Sequence, residues 1–276
     1  MHPEILRLAA FPLENAGGNP AGVVLDATNL SDSQMQALAK EVGFSETAFI
    51  TTALAERMRV RYFSPEMEVD FCGHATIATG VALGEINGPG EYIFETNTGD
   101  VGVEVTKSDI GYIAELSSTT AMVSQIETTL LDELLEILHY NPSNLDPSHP
   151  VLIANAGNAH PIMILENPDT LQNLDYNFDA LKALCRSHNW PTVQLLATES
   201  PGVWQSRNPF AFGGVYEDPA TGSAAAAFGV YLRDLGFAKP GDTVIIKQGF
   251  TMSQPSLLKV TIEATAIKVA GGAIHL

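Results

Sequence analysis

Hydrophobic positions at strand spacing in residues 5–11 and again in 21–25, separated by Gly17-Gly18-Asn19-Pro20, predict two strands joined by a turn at those four residues. The period then lengthens. Met35, Leu38, Ala39 and Val42 fall on one helical face, Ser31 and Gln34 ahead of them form a capping box, and Gly43 ends the helix. Residues 48–50 and 58–63 return to strand patterning, and a loop over 64–72 leads into a helix beginning near Gly73. Strands at 92–96, 102–106 and 110–116 close this unit. A helix over 128–140 and a Pro/Asn-rich loop over 141–150 form the one linker-like stretch.

The second half repeats the order of the first. The runs 73–83 and 222–232 align without a gap, with Phe63 meeting Phe212 and Glu68 meeting Glu217 upstream. Downstream, Pro89-Gly90 meets Pro240-Gly241, and Thr98-Gly99 meets Gln248-Gly249. More weakly, Gly18-Asn19 corresponds to Gly157-Asn158, and the strand at Ala48-Phe49-Ile50 to that at Gln194-Leu195-Leu196, which aligns Glu46 roughly with Thr192. The expected organisation is therefore two α/β repeats, residues 1–118 and 119–276, with the last strand packing back on the first half.

Composition narrows the partners. A chain of 276 residues that is 45% apolar supports two ordinary domains. Fourteen Lys and Arg against 32 Asp and Glu leave a formal charge of −18, which repels nucleic acid and anionic membranes. No nucleic-acid or membrane partner is expected, and an anionic substrate needs local backbone donors. The two cysteines, Cys72 and Cys185, make no disulfide framework, and Met1-His2-Pro3-Glu4 lacks the basic and apolar regions of a secretion signal. The expected location is the cytoplasm and the expected assembly a homodimer.

Two copies of one fold usually pack about a pseudo-two-fold axis, which would bring the helix starts at Gly73 and Gly222 to one cleft. A helix N-terminus carries about half a positive charge on unpaired N–H groups, and glycine lets a ligand approach the backbone. Such ends suit a carboxylate or a developing oxyanion. The two starts differ in their side chains: His74 stands opposite Ser223 and Cys72 opposite Thr221. Taken singly, these residues have plainer readings. Glu46 reads as a solvated carboxylate after a helix stop, Asp218 before Pro219 as a turn residue, Cys72 as a small buried hydrophobe and His160 as structural.

The motifs around these positions resemble the PhzF family of phenazine-biosynthesis isomerases. They are Gly18-Asn19-Pro20-Ala21-Gly22, Phe44-Ser45-Glu46-Thr47-Ala48-Phe49, Arg61-Tyr62-Phe63-Ser64-Pro65, Cys72-Gly73-His74-Ala75-Thr76 and Glu217-Asp218-Pro219-Ala220-Thr221-Gly222-Ser223-Ala224. They span nearly the whole chain in order. The resemblance implies an α+β, internally duplicated fold like that of diaminopimelate epimerase, each half a curved sheet wrapped around a central helix. It further implies an isomerase without metal or organic cofactor, in which Glu46 moves a proton on a small carboxylated, dihydro-hydroxyanthranilate-like substrate. Gly73, His74, Asp218, Gly222 and Ser223 would bind that substrate. A carboxylate among apolar side chains can take up a proton and return it, and Phe44, Ala48 and Phe49 are the expected wall.

The chain departs from the family at two places. After Arg207 the family tends to carry aromatic residues and then Ala-Pro, where this chain has Asn208-Pro209-Phe210-Ala211; near the C-terminus Gln254 stands where Arg is common. Two other functions stay open: an amino-acid epimerase or racemase on the same fold, and a non-catalytic small-molecule binder. A two-thiol epimerase fits poorly, because Thr221 is the partner of Cys72 in the repeat and Cys185 falls in an unrelated helix. Phosphate-loop, serine-hydrolase and paired zinc-ligand spacings are missing from the sequence.

Overall fold

The computed structural model describes residues 3–118 and 121–276. Met1, His2, Thr119 and Thr120 lie outside the described residues, and with them the extreme N-terminus and the step across the expected boundary after Ser118. The chain divides into two compact units, Met1–Thr119 with Lys268–Leu276, and Thr120–Ile267.

In the first unit β1 (Leu6–Ala10) pairs antiparallel with β2 (Asn19–Val24). The turn between them is not where the sequence suggests. Asn19 and Pro20 lie inside β2, opposite Ala10 and Ala9, and the chain reverses earlier, with positive φ at Phe11, Gly17 and Gly18. Helix α1 (Asp32–Val42) has the capping box foreseen: the Gln34 N–H donates to Ser31 Oγ and the Ser31 N–H to Gln34 Oε1. Gly43, with φ of 72°, ends it in the left-handed region. β3 (Glu46–Leu54), β4 (Arg57–Phe63) and the short β5 (Glu68–Val69) follow, then α2 (Gly73–Asn87) and β6 (Gly90–Thr96), β7 (Gly99–Ser108) and β8 (Gly111–Ser117).

The second unit starts with β9 (Met122–Gln125) and α3 (Thr128–Ile137). The helix stops short of residue 140 because His139 adopts φ of 56°. After β10 (Leu152–Asn155) and β11 (Ala159–Ile164) come α4 (Pro168–Gln172), α5 (Phe178–His188), β12 (Gln194–Ser200), β13 (Val203–Pro209) and β14 (Glu217–Asp218). The long helix α6 (Gly222–Asp234), β15 (Thr243–Gln248) and β16 (Ser256–Ile262) complete the repeat, and β17 (Ile267–His275) belongs to the first unit from Lys268 on. Among the described residues no helix is long and apolar enough to cross a membrane.

Strand pairing in the first unit closes on itself. β1, β2, β3, β4, β6, β7, β8 and β17 are joined in that order, and β17 pairs back onto β1. Closure removes the exposed strand edges that invite aggregation. Helix α2 is packed against β1, β2, β3, β7 and β8 and is buried at every residue from Gly73 through Gly84, as an all-round apolar helix requires. The second unit uses the same plan: β10, β11, β12, β13, β15 and β16 pair in order and α6 packs against β9, β10, β11 and β16. Its own apolar layer lies under α3, α4 and α5, around Leu134, Leu181, Trp190 and Leu195.

Each central helix approaches its sheet at a glycine. A Cβ on Gly80 would stand 2.8 Å from Ala114 Cβ, and one on the matching Gly229 2.5 Å from Ile267 Cγ2. The register corrects one detail of the repeat: Phe63 opposes Glu68 and Pro209 opposes Glu217, so Pro209, not Phe212, is the counterpart of Phe63. The turn between β13 and β14 is longer than that between β4 and β5, which shifts the sequence alignment there.

Candidate active site

In the first unit, parallel pairing of β2 with β3 puts Ala21 opposite Glu46, and the chain enters α2 through Cys72. Three side chains separated in sequence are thereby brought together. Glu46, Cys72 and His74 are 8%, 7% and 5% exposed. Cys72 Sγ donates to Glu46 Oε2 at 3.6 Å and lies 3.3 Å from His74 Nδ1. His74 Nε2 is 3.5 Å from Glu46 Oε2 and 3.4 Å from Ser45 Oγ. Burial lowers the pKa of His74, while the charge of Glu46 and a hydrogen bond to the Pro20 backbone oppose the shift. At this distance the His74 ring can orient the Glu46 side chain.

The expected apolar wall is only partly in place. Side chains alternate along a strand, so Glu46 shares its face with Ala48 while Phe49 points the other way. Phe49 packs with Val24, Met35, Leu38 and Phe63 under α1. The side chains in contact with Glu46 are instead Cys72 and His74.

An oxygen of Glu46, the sulfur of Cys72 and a ring nitrogen of His74 all lie within 4.8 Å of one another. Such a mixed set can pass a proton, and its atom types also suit a zinc-class cation. Sequence spacing could not reveal it, because Glu46 comes from a different element. Cys185, the second thiol, is on α5, where burial pushes it up to about 12.

In the second unit the equivalent positions carry different chemistry. Thr221 Oγ1 donates to Asp218 Oδ2 at 2.6 Å, and Gln248 ties the loop by donating to the Asp218 carbonyl at 2.7 Å and accepting from the Thr221 N–H. Asp218 is thus buried and held, not a mobile turn residue. Neither Cys72 nor Thr221, which precede α2 and α6, bonds its side chain to the first turn of its helix, unlike Ser31 before α1. That leaves both starts, at Gly73 and Gly222, suited to an anion.

Ser223, partly exposed on the first turn of α6, is joined to a residue the sequence reading left aside. His160 on β11 is fully buried, with Nε2 3.1 Å from Ser223 Oγ. Its Nδ1 lies 3.2 Å from the Thr192 carbonyl and 3.0 Å from Thr192 Oγ1. Thr192 Oγ1 donates to Asn208 Oδ1, and Asn208 Nδ2 donates to Ser206 Oγ. Burial brings the pKa of His160 down to about 4. The repeat held a signal for it: His160 on β11 bonds Thr192 just ahead of β12, much as Ala21 on β2 stands opposite Glu46 at the start of β3. Asn208, one of the departures from the family pattern, belongs to this network.

Known proteins give this arrangement its context. Residues 8–276 match the family described as phenazine biosynthesis-like protein. The trans-2,3-dihydro-3-hydroxyanthranilate isomerase of Pseudomonas fluorescens is 31% identical, over 96% of this chain and 93% of its own. A Bacillus anthracis phenazine biosynthesis protein of the PhzF family superposes with a TM-score of 0.85 at 27% identity, covering 99% of this chain and 96% of that one. A predicted epimerase from Pseudomonas aeruginosa, 22% identical, shares the fold over 100% of this chain and 97% of its own with a TM-score of 0.87. The motifs, the duplicated fold with its central helices and these likenesses agree, and this chain belongs to the PhzF family of phenazine biosynthesis-like proteins.

Proposed function

We propose that this chain is a cofactor-independent isomerase that relocates a proton on a small carboxylated substrate of the dihydro-hydroxyanthranilate kind. The observation that carries the reading is the buried contact of Glu46 with Cys72 and His74 at the start of α2. In this reading the Glu46 carboxylate takes a proton from one carbon and returns it to another. Charge that develops on the substrate meanwhile faces the N–H groups at a helix start, which need no reorganisation to receive it. Gly73 and Gly222 supply such backbone groups, and His74, Asp218 and Ser223 hold substrate polar atoms. The P. fluorescens relative's name supports the substrate class.

The test follows the conversion of trans-2,3-dihydro-3-hydroxyanthranilate by NMR. Glu46→Gln, which keeps the shape and removes the base, is expected to lower turnover roughly a hundred- to ten-thousand-fold. Turnover within a few-fold of wild type would refute the role of Glu46. An epimerase that uses a thiol from each unit is disfavoured, because the counterpart of Cys72 is Thr221 and its hydroxyl is engaged by Asp218.

A further inference from the structure

Glu46, Cys72 and His74 form a triangle of metal-ligand atoms. Cys72 Sγ is 3.6 Å from Glu46 Oε2, the same oxygen is 3.5 Å from His74 Nε2, and Nε2 is 3.8 Å from Sγ. A tetrahedral cation with bonds of about 2.3 Å to sulfur and about 2.0 to 2.1 Å to nitrogen and oxygen holds such atoms about 3.3 to 3.6 Å apart. Small side-chain shifts therefore turn the triangle into one face of that tetrahedron. The histidine is also prepared. Proline has no N–H, so the ring donates in its bond to the Pro20 backbone, and the other ring nitrogen keeps the lone pair that a cation needs. Among the described residues no other three His, Cys, Asp or Glu side chains converge in this way. Thiolate and imidazole together favour the zinc class over magnesium or calcium.

We propose that Glu46, Cys72 and His74 bind one thiophilic divalent cation of the zinc class, and that the bound cation inhibits the protein by occupying the Glu46 carboxylate. On binding, the Cys72 thiol loses its proton to solvent and sulfur bonds to the metal. One thiolate and one carboxylate then neutralise the two positive charges, so burial of the site leaves no net charge stranded, and the start of α2 favours the thiolate. The cation is an inhibitor in this scheme and no part of the reaction. A carboxylate bound to metal cannot take a proton from carbon. The inhibitory half rests on the proposed role of Glu46, whereas the site itself stands on the donor geometry alone.

The reduced, metal-free whole chain is titrated with cobalt(II), which reports its ligands by colour. One equivalent is expected to give a near-ultraviolet thiolate-to-cobalt band and the visible bands of a four-coordinate ion, and zinc is expected to displace it. Cys72→Ser is expected to abolish the thiolate band and to weaken zinc by more than roughly a hundredfold, while Cys185→Ala keeps both. A spectrum without a thiolate band, or a band that survives in Cys72→Ser, would overturn the site. X-ray absorption at the zinc edge needs no variant: one sulfur at about 2.3 Å beside nitrogen and oxygen at about 2.0 to 2.2 Å is expected, and a shell of nitrogen and oxygen alone would overturn it. Zinc at saturation is then expected to lower turnover of trans-2,3-dihydro-3-hydroxyanthranilate roughly a hundredfold or more, with recovery on adding a chelator. Unchanged turnover by zinc-loaded protein would overturn the inhibition. If the metal-free protein does not convert that substrate, the functional reading fails by itself, and the cobalt spectrum still decides the site.

Discussion

Two buried histidines make the stability of this fold fall as the pH drops below neutrality. His160 and His74 are both held below their ordinary value of 6.5, His160 at about 4. The folded chain therefore refuses protons that the unfolded chain accepts. This stabilisation is complete above pH 6.5 and is lost as the pH falls toward 4. For His160 alone the loss at pH 5 is about 2 kcal/mol. Urea denaturation at pH 7 and pH 5 is expected to show that loss in wild type and a smaller one in His160→Gln. Equal losses would mean that His160 titrates normally in the fold. The carboxylates with depressed pKa values, such as Asp32 and Glu68 beside Arg61, act only at more acidic pH and do not confuse this window. The residues also differ in how far the sequence disclosed them. Glu46 and His74 stood in motifs, whereas the link from His160 to Ser223 crosses sixty-three positions and exists only once β11 and α6 are packed. The burial of Phe49 away from Glu46 follows from strand alternation, which the motif alone did not weigh.

Between elements, both units use an Arg–Glu clasp to pin the short strand that leads into the central helix. Arg61 grips Glu68 with two contacts of 2.8 and 2.6 Å, and Arg207 grips Glu217, with a further bond to the Gln172 carbonyl at 2.8 Å. The copies are not equally wet: side-chain exposure is 18% and 28% in the first pair but 12% and 2% in the second. Removing one partner of a buried pair strands the other charge. Glu217→Ala is therefore expected to cost about 3 to 5 kcal/mol and Glu68→Ala only about 1, read from denaturant midpoints. Equal costs would show that burial does not set the strength of the clasp. The closest contact between helix and sheet makes a second prediction. Gly229→Ala gains about 1 kcal/mol of helix propensity but drives Cβ to 2.5 Å from Ile267 and 2.9 Å from Val260. A net loss of about 1 to 2 kcal/mol is expected, and a more stable variant would mean that α6 can shift. The capping box and Gly43 were legible because their signals are local, and the β1–β2 turn was misplaced because Asn19 and Pro20 pair with β1 residues instead of turning.

For the whole molecule, duplication was readable because the Gly-led helices and residues flanking them, Glu68 and Glu217 among them, recur in order. Closure of the first unit by β17 was only hinted at, since pairing of residues 8–10 with 273–275 joins opposite ends of the chain and leaves no local trace. The charge of −18 makes specific backbone donors matter more, because no general positive field draws an acid in. The two copies build the same central helix and place different side chains at its start. One holds a carboxylate, a thiol and an imidazole, and the other an aspartate and a serine fixed by His160. On the function proposed above, this asymmetry leaves Glu46 as the proton-moving carboxylate. Mass spectrometry of trans-2,3-dihydro-3-hydroxyanthranilate incubated in heavy water puts that to the test. Deuterium entering carbon with wild type and not with Glu46→Gln is the predicted result, and equal uptake by the two proteins would contradict the claim.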